Sequence, residues 1–115
     1  MKNSDIQKSK PFIISEEVDY APQAIISKTI VKKVTGSISV FAFDAGEKMA
    51  GVLSPFDNFV QAIEGSAEII IDDKSTHLAI GQSIIVPAHS SNTIKGTTRF
   101  KMISTVIKSG YEDVT

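Results

Sequence analysis

The stretch Asn58-Phe59-Val60-Gln61-Ala62-Ile63-Glu64-Gly65-Ser66-Ala67-Glu68-Ile69-Ile70-Ile71 decides the fold. Two short runs rich in strand-forming residues, 58–63 and 66–71, meet at Glu64-Gly65, where glycine supplies the backbone freedom a tight turn needs. The pair reads as a β-hairpin on local grounds alone. Asp72-Asp73-Lys74 is a second hairpin turn and lacks the rest of any calcium-loop pattern.

Outward from this hairpin the same grammar continues. Strands are expected at 12–15, 24–33, 37–44, 51–54, 75–78, 83–86, 92–95 and 100–108, with turns at Thr35-Gly36, Ala45-Gly46, Ser54-Pro55, Ile80-Gly81, Pro87-Ala88 and Gly96. No window sustains apolar residues at i, i+3, i+4 and i+7, so helices are not expected. Short, evenly spaced strands between turn residues indicate a sandwich or barrel, not a parallel α/β sheet. The chain of 115 residues has length for one core, so residues 1–115 read as one domain with a polar tail at 1–10 and a short tail at 110–115.

Composition excludes several functions. Twelve basic and thirteen acidic residues leave a formal charge of −1, and Lys32-Lys33 is the one adjacent basic pair, so no basic stripe for nucleic acid exists. Without cysteine there is no disulfide, thiolate metal site or thiol nucleophile. No apolar run reaches the ~18 residues of a membrane span, and residues 1–10 lack an apolar signal core. A cytoplasmic protein without membrane partners is expected.

Over roughly residues 38–108 the sequence resembles the small single-domain cupins. Their first motif runs Gly, five residues, His, one, His, three or four, Glu, six, Gly. Here Gly46, Val52, Ser54, Asn58 and Gly65 keep that spacing without a gap. The second motif runs Gly, five residues, Pro, one, Gly, two, His, three, Asn. Here Gly81, Pro87, His89, Asn92 and Gly96 stand at those places. Ile80-Gly81-Gln82-Ser83-Ile84-Ile85-Val86-Pro87-Ala88 has the family's look, and Phe100-Lys101-Met102 resembles its last barrel strand. The resemblance implies an all-β, cupin-type double-stranded β-helix, a jelly-roll barrel.

In metal-binding cupins the two histidines and the glutamate of the first motif, with the histidine of the second, hold one divalent metal. Those places are Val52, Ser54, Asn58 and Asn92 here. Valine has no donor, and serine and asparagine are neutral oxygen donors in place of imidazole. No metal and no other cofactor is therefore expected. The positions imply instead a ligand pocket of Val52, Ser54, Asn58, Asn92 and Met102, suited to a small neutral or weakly polar molecule. The alternative is a cupin enzyme of dioxygenase, isomerase or lyase type with a non-standard metal site or none. Asp57 and His89 are its auxiliary candidates: Asp57 as substitute ligand or base, His89 as acid, base or lone ligand. Otherwise both are solvated turn residues.

His77 reads as a surface residue, and Glu64 and Glu68 as charges at a solvated turn. Phe100 and Met102 read as core or as pocket lining. Ser104, the polar member of their face, needs a partner if buried. In 37–44, Ile38, Val40 and Ala42 oppose Ser39, Phe41 and Phe43. Large apolar groups on both faces imply a homodimer, with Phe41, Phe43, Ile103 and Ile107 as candidates for an outer surface that a partner covers.

Overall fold

The computed structural model describes residues 6–51 and 54–108. Among the described residues nine strands form two antiparallel sheets: β1 (Ile25–Lys33), β2 (Gly36–Phe43), β3 (Lys48–Gly51), β4 (Asn58–Glu64), β5 (Ala67–Ile71), β6 (Lys74–Leu78), β7 (Ser83–Val86), β8 (Asn92–Gly96) and β9 (Phe100–Ile107). One sheet has the order β1-β2-β9-β4-β7 and the other β3-β8-β5-β6. The jelly-roll barrel expected from the sequence is the fold.

Two expected elements differ. Residues 12–15 form no strand; a short 3-10 turn, Ile14–Glu16, stands there and lies across a sheet instead of joining one. The third strand, Lys48–Gly51, begins three residues before the expected 51–54; residues 52 and 53 of that expected strand lie outside the described residues, and Ser54 is not in a strand. Of the two expected tails, residues 1–5 and 110–115 lie outside the described residues, and 6–10 hold no strand or helix.

The inner faces of the sheets meet in a core of Phe43, Val60, Ala62, Ile69, Ile94, Phe100 and Met102 with their smaller neighbours. Register explains the membership: Phe43 lies opposite Phe100 and Phe41 opposite Met102, so these side chains share one face. Phe41 and Phe43 therefore turn inward. The expectation that they form an outer surface is corrected here, because Phe43 is fully buried and its ring centroid lies 5.5 Å from that of Phe100.

The outer faces are unlike. On the four-stranded sheet, Lys48, Lys95, Glu68 and His77 follow one another across the strands, a charged and solvated row. On the five-stranded sheet, Val40 and Ala42 are fully buried although they point away from the barrel. The chain's own segment 14–20 covers them: Val18 completes this second core, with Ile14, Tyr20, Ile30 and Ile63 packed against it.

Polar contacts fasten that segment. Lys101, itself buried, donates from Nζ to the Ser15 carbonyl at 2.6 Å. Lys28 pairs with Glu17 at 2.8 Å, and the Tyr20 hydroxyl donates to Glu64 Oε1 at 2.7 Å. Arg99 and Lys101 sit 5.1 and 5.0 Å from the centre of the Tyr20 ring. Burial, then the bonded Glu64 carboxylate, raises the Tyr20 phenol above its ordinary 10.0. A phenol with a raised folded pKa keeps its proton longer than in the unfolded chain. The contribution is intact below the unfolded value and is lost progressively as pH climbs from there toward the raised folded value. The stability advantage of wild type over Tyr20→Phe is therefore expected to begin shrinking at about pH 10 and to keep shrinking as pH rises further, read in urea melts. Parallel curves would show that the fold does not raise the Tyr20 phenol above its unfolded value.

Candidate functional site

Strand alternation carries the inner face of the five-stranded sheet from apolar to polar toward one end of the barrel. Past Phe41 and Met102 come Ser39 and Ser104, opposite one another, and then Asn58 opposite Val106. From the other sheet Asn92 shares the inner face of β8 with buried Ile94 and lies between Gly51 and Ile71. The loops 54–58 and 87–92 close over this end. Their contact is specific: His89 N–H donates to the Ser54 carbonyl at 2.6 Å, and Ala88 N–H to Asp57 Oδ1 at 2.8 Å.

Ser104 is buried and its hydroxyl donates to Asn58 Oδ1 at 2.6 Å, which supplies the partner its burial requires. That bond occupies the amide oxygen and leaves the Asn58 N–H groups as donors. Asn92 lies flat over Gly51, where a Cβ would come within 2.5 Å of its Oδ1. Glycine at 51 is what makes room for the amide. Two amides and two hydroxyls thus stand above a floor of Phe41 and Met102, and none of these groups is ionisable.

The residues singled out from the sequence separate. Asn58 and Asn92 face the interior, and Met102 is fully buried in the floor. Val52 lies outside the described residues. Ser54 serves its own corner, its hydroxyl accepting from Phe56 N–H at 3.2 Å. Asp57 and His89 are exposed and join the two loops; His89 takes a left-handed backbone at φ 64. His77 stands in the outer charged row. Ser39 and Gly51 enter the site unannounced. Alternation with Phe41 marks Ser39 in the sequence, but only its register with Ser104 shows which way it faces.

The donors at 54, 58 and 92 do not fit the family's metal. One hydroxyl is committed to a turn and one amide oxygen to Ser104, and the three side chains offer no imidazole or carboxylate of their own. Among the described residues no three His, Asp or Glu side chains gather at a point. Among the same residues no helix is long and apolar enough to cross a membrane.

Known structures extend the picture. A conserved protein of unknown function from Streptococcus pyogenes superposes with a TM-score of 0.85 at 30% identity, over 92% of this chain and 93% of its own. A cupin superfamily protein from Desulfitobacterium hafniense gives 0.84 at 23% identity, over 95% and 100%. A cupin 2 conserved barrel domain protein from Leptotrichia buccalis gives 0.81 at 28% identity, over 84% of this chain and 47% of its own. No family model and no curated protein matches the sequence.

Proposed function

The chain belongs to the cupin superfamily, and from that premise we propose that it acts by binding a small neutral or weakly polar molecule inside the barrel. The observation that carries this reading is the Ser104–Asn58 hydrogen bond at the rim of the apolar floor. It fixes a neutral donor where metal-binding relatives place a carboxylate. Pockets of this kind hold uncharged ligands by apolar contact and orient them with a few hydrogen bonds. An anion would find no cation among these side chains, and a divalent metal no charged or imidazole ligand.

Thermal unfolding with two sets of probes tests the proposal. Neutral probes (monosaccharides, nucleosides, lactones and simple amides) are compared with carboxylates and with manganese, iron, nickel and zinc salts. A neutral probe is expected to raise the melting temperature, since a ligand about 100-fold above its Kd stabilises by about 2.7 kcal/mol. Ser39→Phe, which fills the space beside Ser104, should abolish that rise. Equal binding by Ser39→Phe would place the site elsewhere. Stoichiometric metal in the purified wild type, by elemental analysis, would overturn the metal-free reading.

A further inference from the structure

A side-chain amide carries a donor and an acceptor, so the ligand it selects depends on which of the two it presents. At Asn58 the protein makes that choice. Ser104 lies diagonal to Asn58 across the β4–β9 ladder and is buried. Its hydroxyl hydrogen has one acceptor among the described residues, Asn58 Oδ1 at 2.6 Å. Turning the amide over would set Nδ2 against Ser104 Oγ and leave that buried hydrogen with no acceptor, an arrangement folded proteins avoid. Oδ1 is therefore held toward the strand and Nδ2 is presented away from it. Nδ2 meets no protein acceptor, and among the described residues no side-chain polar atom is both buried and unpaired. Its hydrogens therefore open onto accessible space.

We propose that the barrel takes a small cyclic carbonyl compound (a lactone, lactam or ketone) whose oxygen accepts from Asn58 Nδ2, with Ser104 as the positioning residue that sets this polarity. The inference rests on the binding reading above and narrows it. The neighbouring polar groups impose no polarity of their own: Ser39, opposite Ser104, can donate or accept, and the Asn92 amide offers both functions. Phe41 and Ile71, half-buried on the inner faces of the two sheets, supply apolar walls for the ring. A carboxylate would also accept from Nδ2, but it would bring an unpaired charge against those walls. An alcohol fits less well, because its hydrogen finds no acceptor at Asn58 while Oδ1 is held by Ser104.

NMR titration of the whole chain decides it, with cyclopentanone, cyclohexanone and δ-valerolactone set against cyclopentanol and cyclohexanol. The carbonyl compounds are expected to bind about 10-fold more tightly than the alcohols, the difference that one hydrogen bond of matched polarity makes. They should also move the Asn58 Nδ2 side-chain resonances. Ser104→Ala frees the amide to turn, so the alcohols should gain affinity and the ratio should fall toward one. Asn58→Asp, an acceptor in the same place, should invert the preference. Should a variant fail to fold, the wild type decides through nuclear Overhauser contacts between the Asn58 Nδ2 hydrogens and the ring hydrogens beside the carbonyl. Equal affinity for ketones and alcohols, a ratio unchanged by Ser104→Ala, or carbonyl binding that leaves the Nδ2 signals unmoved would overturn the proposal. If a monosaccharide or nucleoside binds and no ring carbonyl does, the proposal falls and the binding reading stands. If no neutral probe of either kind binds, both fall.

Discussion

Gly65→Ala is expected to destabilise the protein by about 3–4 kcal/mol, a large part of a small domain's margin. Gly65 has φ +68, and a Cβ there would overlap the backbone oxygen of Arg99 and press on Thr98 Oγ1 at 2.7 Å. The left-handed backbone alone costs an alanine about 1–2 kcal/mol. Relieving the overlap means separating two turns joined by Ser66 N–H to Thr98 Oγ1 at 3.1 Å and Thr97 N–H to Ser66 O at 3.0 Å, at about 1 kcal/mol for each bond lost. Gly81→Ala isolates the first part, since Gly81 has φ +85 and nothing within 4 Å of the position a Cβ would take. Urea melts should put Gly81→Ala near ~1 kcal/mol and Gly65→Ala well beyond it. Equal losses would mean the two turns are not in contact.

Phe100→Ala should be at least as damaging, at about 3–5 kcal/mol. Phe100 is fully buried, opposite Phe43, and belongs to the cluster that joins the two sheets. Its neighbours are strand residues held by ladders on both sides, so the cavity has little means of collapse. Phe59→Ala, on the outer face of the same sheet, removes a side chain already 37% exposed and should cost much less. A loss below about 1.5 kcal/mol for Phe100→Ala would mean that the core repacks around the gap.

Most strands were legible because their signals are local. Glycines 46, 65 and 81 mark three turns, and all three have positive φ. The hairpin around Glu64-Gly65 and the alternation in 37–44 needed nothing beyond neighbouring residues. Alternation sorts Val40 and Ala42 from Phe41 and Phe43 without saying which pair faces in. Both pairs end up buried, one in the barrel and one beneath segment 14–20, so burial tendency could not separate them. The choice rests on pairing with Phe100 and Met102, some sixty residues away, and spacing within one strand carries no such information. The 12–15 run failed for a related reason. Its apolar residues serve a sheet by lying over it, and Lys101, which pins it at Ser15, is 86 residues distant. At the site, Asn58 and Asn92 could be placed by motif spacing, whereas Ser39 and the Ser104 bond depended on register between strands remote in the chain.

The position of β9 has a kinetic consequence. It is the last of the nine described strands and the middle one of its sheet, between β2 and β4. Until it is in place, β1-β2 and β4-β7 are two separate two-stranded ribbons, each with an open edge and a bare apolar side, and such ribbons are marginal in water. Formation of the barrel therefore waits on one late, long-range pairing, and the loop-closure entropy must be met before most native contacts form. Refolding should fall among the slow all-β domains, in milliseconds to seconds. A nascent chain lacking β9 would expose the edges of β2 and β4 that β9 later separates, which makes their premature pairing, within or between chains, the natural misfolding route.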